Sequence, residues 1–209
     1  MIDFGQFYDL ERYLFDTVSV RFKTQGCLSA FDFFCIVIWK TRRTPGQPGD
    51  RVVLSVERGR PSIEGAVRDL TAAIASLPGA RERLRYLLEE RSFSLAMAAA
   101  LLAVLYPEEF VMYDRRLCDA LGAFHGLGQM RGFEGVWDGY QAFRARLAQA
   151  APEGLDLRGK ERYLWGQTFY QQITGEIMRQ VEGEEVAEAP AAGGWRRQAD
   201  GAPAVTVVH

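Results

Sequence analysis

The sequence predicts an all-α fold, with a compact multi-helix domain over residues 1–181 and a disordered acidic, Gly/Pro-rich tail over 182–209. Three observations carry this expectation. Apolar side chains recur at steps of three and four through most of the chain, the period of a helix with one buried face. Proline and glycine fall between those stretches, where helices stop. Hydrophobic residues make up 48% of the chain, ample for one core. After Val181, by contrast, Glu, Ala, Gly and Pro dominate, a composition with too little apolar surface to order itself.

Taken in order, Phe4, Phe7, Tyr8, Leu10 and Leu14 place a first helix over 3–16. Phe31, Phe34, Cys35, Ile38 and Trp39 form the apolar face of a second over 28–40, although their aromatic and β-branched content also fits a strand. Residues 44–50, Thr-Pro-Gly-Gln-Pro-Gly-Asp, form a loop, and Val52 to Val56 fits either a short strand or a helix start. Ile63, Val67, Leu70, Ile74 and Leu77 define an amphipathic helix, with Pro61 in its first turn and Pro78-Gly79 at its end. Leu84, Leu87 and Leu88 mark another over 80–91. Ser94 caps an alanine-rich helix over 95–105 that Pro107 stops, and Asp114 precedes a short helix over 115–121 closed by Gly122. The glycine-rich residues 125–135 are a loop. Helices follow over 136–150 (Val136, Tyr140, Phe143, Leu147) and 158–181 (Tyr163, Leu164, Phe169, Ile173, Ile177).

The net charge is −2. The tail holds five acids and two bases, a charge of −3, which leaves +1 for the body. A near-neutral body binds nucleic acid only through a local basic patch. The lysines are Lys23, Lys40 and Lys160. Cys27, Cys35 and Cys118 form no C-x-x-C pair, and their odd number, without a signal peptide, predicts buried thiols in a reducing, cytoplasmic setting. His125 and His209 are too few for a histidine-built metal site, and no metal or organic cofactor is expected. The longest apolar run, Phe93 to Tyr106, falls short of the ~20 residues that span a bilayer, so a buried helix is expected and no membrane partner.

The most informative stretch runs from Leu95 to Leu121. A small-residue helix leads to Tyr106-Pro107, then to Phe110 and a short extended run, then to Asp114 at the start of a new helix. This resembles the segment that follows the hairpin in helix-hairpin-helix DNA glycosylases, where an alanine-rich helix leads through a proline to an extended turn with a catalytic Asp. Two further pieces are similar to a bacterial, oxoguanine-glycosylase-like branch of that superfamily. Trp39-Lys40-Thr41-Arg42-Arg43 is similar to a W-K-x-x-R motif, and Leu157-Arg158 with Leu164-Trp165 is similar to an L-R…L-W motif. Together the matches span residues about 28–170.

The resemblance implies a compact helical glycosylase fold that excises a modified or damaged base from DNA, with Asp114 as the catalytic acid. Base departure leaves a cation-like sugar, which a nearby carboxylate stabilises. Extruding the base needs an aromatic pocket and groups that hold the backbone. Trp39, Trp165, Tyr113 and Phe124 are the pocket candidates, and Lys40, Arg43, Arg91, Arg115 and Arg116 the phosphate or base contacts. The family hairpin reads L-x-G-V-G, whereas Leu87 to Ser94 contains no glycine. Bifunctional members also place a lysine soon after the hairpin, near Leu95 here, where none exists. The resemblance therefore implies a monofunctional enzyme without a lysine Schiff base, unless the fold brings Lys40 to the site. Two other readings stand beside it: a non-catalytic DNA- or protein-binding module of a repair or defence complex, and an enzyme of free nucleosides or nucleotides.

Overall fold

The computed structural model describes residues 4–43 and 62–181. The loop expected at 44–50, the undecided segment 52–56, Pro61 and the tail expected at 182–209 lie outside the described residues. The chain falls into two units that divide between Gln171 and Gln172. Regular structure among the described residues is entirely helical.

A 3-10 turn at Phe4–Phe7 precedes α1 (Leu10–Tyr13), which runs through a π-turn (Leu14–Val18) into α2 (Ser19–Gln25). The helix thus begins later and ends later than the 3–16 expected. Asp9 opens it by accepting the Arg12 N–H at 3.0 Å, and Gly26 closes it in the left-handed conformation, φ 70°. Residues Ala30–Arg43 form α3, so the strand alternative for this segment does not hold. A buried polar triad ties α3 back to α1 and α2. The Tyr13 hydroxyl donates to Asp32 at 2.6 Å, and Arg21 pairs with the other Asp32 oxygen at 2.7 Å. Asp32 is fully buried, and a carboxylate there is tolerable only with such partners.

Ser62 caps α4 (Ile63–Ser76), its hydroxyl accepting the Gly65 N–H at 3.1 Å. Next, α5 (Ala80–Arg85) passes into a π-turn at Tyr86–Glu90. The turn that follows is built without glycine. Ser92 adopts φ 57°, and the Phe93 N–H returns to the Leu87 carbonyl at 2.9 Å.

Ser94 caps α6 (Leu95–Leu105), the centre of the core, in which every residue from Met97 to Leu105 is buried. Its alanines let α2, α3 and α5 approach closely. A turn in which the Phe110 N–H returns to the Tyr106 carbonyl at 3.0 Å leads into the run 110–114 and so to Asp114, the cap of α7 (Arg115–Leu121), which Gly122 closes at φ 64°. A 3-10 turn (Leu127–Gln129) interrupts the expected loop, and α8 (Phe133–Ala150) starts three residues early. The last helix is α9 (Leu157–Val181). Its Glu161 and Leu164 are buried, whereas Tyr163, Phe169, Ile173 and Ile177, expected on its apolar face, are exposed.

Candidate functional site

Asp114 owes its position to the extended run before it. Tyr140 of α8 brackets Val111, accepting its N–H at 3.0 Å and donating to its carbonyl at 2.6 Å. Glu161 of α9, 1% exposed, accepts the Met112 N–H at 2.9 Å. Glu161 is in turn paired with Arg158, whose other nitrogen meets Glu11 at 2.6 Å. The Tyr113 hydroxyl donates to the Phe124 carbonyl at 2.7 Å, and burial pushes its pKa up, so it remains a donor. Side chains of α8 and α9 therefore fix the backbone that leads to the carboxylate.

Asp114 itself is 6% exposed. Its Oδ1 accepts the Leu117 N–H at 2.9 Å, while its buried Oδ2 accepts no hydrogen bond from the described residues. A buried carboxylate oxygen in that state lacks the stabilisation that water or a donor would give it. The carboxylate lines a pocket of about 380 Å³ together with Lys40, Ala96, Tyr113, Arg115, Cys118 and His125. Lys40 is only 4% exposed, so it is not the solvated cation that a helix end usually carries. Cys118 lies one turn after Asp114, and burial raises its thiol pKa to about 11, which keeps it protonated and weakly nucleophilic at neutral pH. His125 bonds Asp119 at 2.7 Å, and Asp119 also lies 4.0 Å from the exposed Arg115.

The structure thus brings Lys40, Tyr113, Asp114 and Arg115 together, whereas Trp39, Arg91, Arg116, Phe124 and Trp165 lie elsewhere. Trp39 is buried in the core, its indole N–H donating to Glu11 at 3.4 Å and its ring beneath the Arg158 guanidinium at 5.4 Å. The two motifs that carry the resemblance, around Trp39 and Arg158, therefore meet each other between helices. Trp165 stacks on Phe169 at 5.7 Å, with Arg116 over its face at 4.7 Å, and lines a separate cleft of about 810 Å³ beside Arg158 and Arg162. Arg91 is half-buried in the turn before α6, and its Nε has no hydrogen-bond partner among the described residues. Phe124 packs edge-on against Phe143 at 5.5 Å. Arg43 ends α3, and its side chain lies outside the described residues.

Sequence reasoning missed Ala96, Cys118 and His125 as pocket walls. The four-residue step from Asp114 to Cys118 was a usable signal, since it puts both on one helix face. No local signal marks Glu161, whose partner Met112 is 49 residues away. The adjacent acids Glu108 and Glu109 are engaged in ion pairs, Glu108 with Lys23 at 3.2 Å and Glu109 with Arg83 at 3.1 Å. Among the described residues no cluster of three His, Cys, Asp or Glu could hold a metal, and no helix is long and apolar enough to cross a membrane. No protein family, curated protein or solved structure matches the chain.

Proposed function

We propose that the chain is a DNA-glycosylase-like enzyme that excises a modified or damaged base from DNA. The observation that supports this reading is the buried Asp114 carboxylate, half committed to its helix cap and half without a partner, lining a pocket of small-ligand size beside a buried lysine. A cation-like sugar placed there meets a fixed negative charge in surroundings of low dielectric, where that charge acts more strongly than in water. Tyr113 lends an aromatic wall, and the exposed Arg115 stands at the helix start, available to a phosphate.

Lys40 favours a second form of this reading over the monofunctional one. Its amine, once deprotonated, adds to the sugar C1′ as the base leaves with the bonding electrons. Opening of the sugar ring then gives an imine, with Asp114 balancing the positive charge. The lysine missing after the hairpin is thereby supplied from α3.

The test is base release from duplexes and single strands carrying a panel of modified bases, with free base read by mass spectrometry. Asp114→Asn is expected to lower release at least about a hundredfold. The lysine form predicts strand scission before alkali and a borohydride-trapped adduct, both lost in Lys40→Arg. Release without scission or adduct supports the monofunctional form. No release from any substrate overturns the enzyme reading, and retained DNA binding in that case leaves a binding module.

A further inference from the structure

We propose that His125, oriented by Asp119, is the acid that protonates the departing base at the Asp114 pocket, so that the site takes uncharged bases, which cannot leave readily without a proton. This rests on the base-excision reading of that pocket. His125 lines it together with Asp114. The His125 Nε2 lies 2.7 Å from Asp119 Oδ1. A carboxylate on one ring nitrogen holds an imidazole in one tautomer and one orientation. With Nε2 directed to Asp119, Nδ1 is the nitrogen left to serve a ligand. The side chains of His125 and Asp119 are 51% and 46% exposed, so the ring reloads with a proton from solvent between turnovers.

His125 and Asp114 are held in one frame. Tyr113 precedes Asp114, and Phe124 precedes His125. The Tyr113 hydroxyl donates to the Phe124 carbonyl at 2.7 Å and accepts the Gly128 N–H at 3.4 Å. The rings of Tyr113 and Phe124 both meet Phe143 edge-on, each at 5.5 Å. Phe124 keeps φ at 73°, a left-handed conformation that a bulky residue holds only where its surroundings impose it. The loop that carries His125 is therefore pinned to the run that carries Asp114. The other titratable walls have other uses. The Tyr113 proton is committed to Phe124, burial holds the Cys118 thiol up at about 11, and Arg115 never gives up its charge. Asp114 and Lys40 face the sugar. Histidine is the side chain suited to moving a proton near neutral pH. As the C1′–N bond breaks, its electron pair passes to the base and the Nδ1 proton joins it there. The base leaves neutral, the imidazole is left neutral, and the sugar keeps the positive charge beside Asp114. Water, shedding a proton to solvent, or the Lys40 amine then adds to C1′. A base that is already a cation, such as an N7-alkylated purine, leaves neutral without that proton.

Single-turnover release by the full chain tests this, with duplexes whose modified bases differ in leaving ability and include the N7-methylguanine cation. His125→Ala is expected to slow release of the poorest leaving base about a hundredfold, and of the best at least about tenfold less. Free imidazole added to that variant should restore part of the loss. Asp119→Ala, which removes a positioning residue, should show the same ordering with a smaller loss. Circular dichroism of both variants should match the parent, since both side chains reach solvent. An equal loss for every base, without rescue by imidazole, overturns the proposal and makes His125 a support of its loop. Unchanged release in His125→Ala overturns it as well. No release by the parent chain overturns the excision reading itself, and this proposal with it, a result that involves no variant and is thus distinct from the other two.

Discussion

At the scale of the residue, Asp114 does two jobs that substitution separates. Its Oδ1 caps α7, and asparagine caps a helix about as well as aspartate. Asp114→Asn should therefore keep the thermal midpoint of the parent while removing the charge the chemistry needs. Asp114→Ala should also lose about 1 kcal/mol of stability with the cap, read from urea unfolding. Ser92 offers a gain in place of a loss. A side chain at φ 57° is strained, and Ser92→Gly should add about 1 kcal/mol by relieving it. A fall in stability there would mean that the serine side chain makes a compensating interaction. Lys40 belongs at this scale as well. It is only 4% exposed although it lies within one turn of the end of α3, and only the tertiary fold closes over it.

At the scale of the element, the extended run 110–114 is held by side chains from α8 and α9. Tyr140→Phe leaves a buried N–H and a buried carbonyl at Val111 unpaired and should cost about 2 kcal/mol in chemical denaturation. Glu161→Ala leaves the buried Met112 N–H unpaired and Arg158 with Glu11 as its carboxylate partner, and should cost about 1–3 kcal/mol. A cost within error of zero in either variant would show that the run holds itself. The helices were legible because their information is local. Steps of three and four locate α4, Ser94 and Asp114 announce the starts of α6 and α7, and Gly122 announces an end. The polar supports were not legible, because a hydrogen bond between Met112 and Glu161 leaves no periodic trace. For the same reason Trp39 and Arg158, visible as motifs, gave no sign that they would meet each other instead of a ligand.

At the scale of the whole molecule, the buried ionisable groups set an alkaline limit to stability. Burial raises Cys118 from 9.0 to about 11. Burial, with the Asp32 carboxylate adding to it, raises Tyr13 from 10.0 to about 12. The unfolded chain sheds both protons at the lower values, so it binds fewer protons than the folded chain at higher pH. Stability is therefore full below about pH 9 and falls as pH rises toward 12. The urea midpoint should follow that course, and Cys118→Ala should delay the fall to about pH 10. An unchanged onset in that variant would remove Cys118 as its cause. The bridge from Glu11 through Arg158 to Glu161 joins residues 147 apart and ends on the backbone beside Asp114. During synthesis, the carboxylate thus leaves the ribosome well before the acid that immobilises its strand has been translated. A nascent chain stalled anywhere short of α9 carries every residue of the pocket and still has no assembled site, so premature termination should yield inert fragments and not unregulated ones.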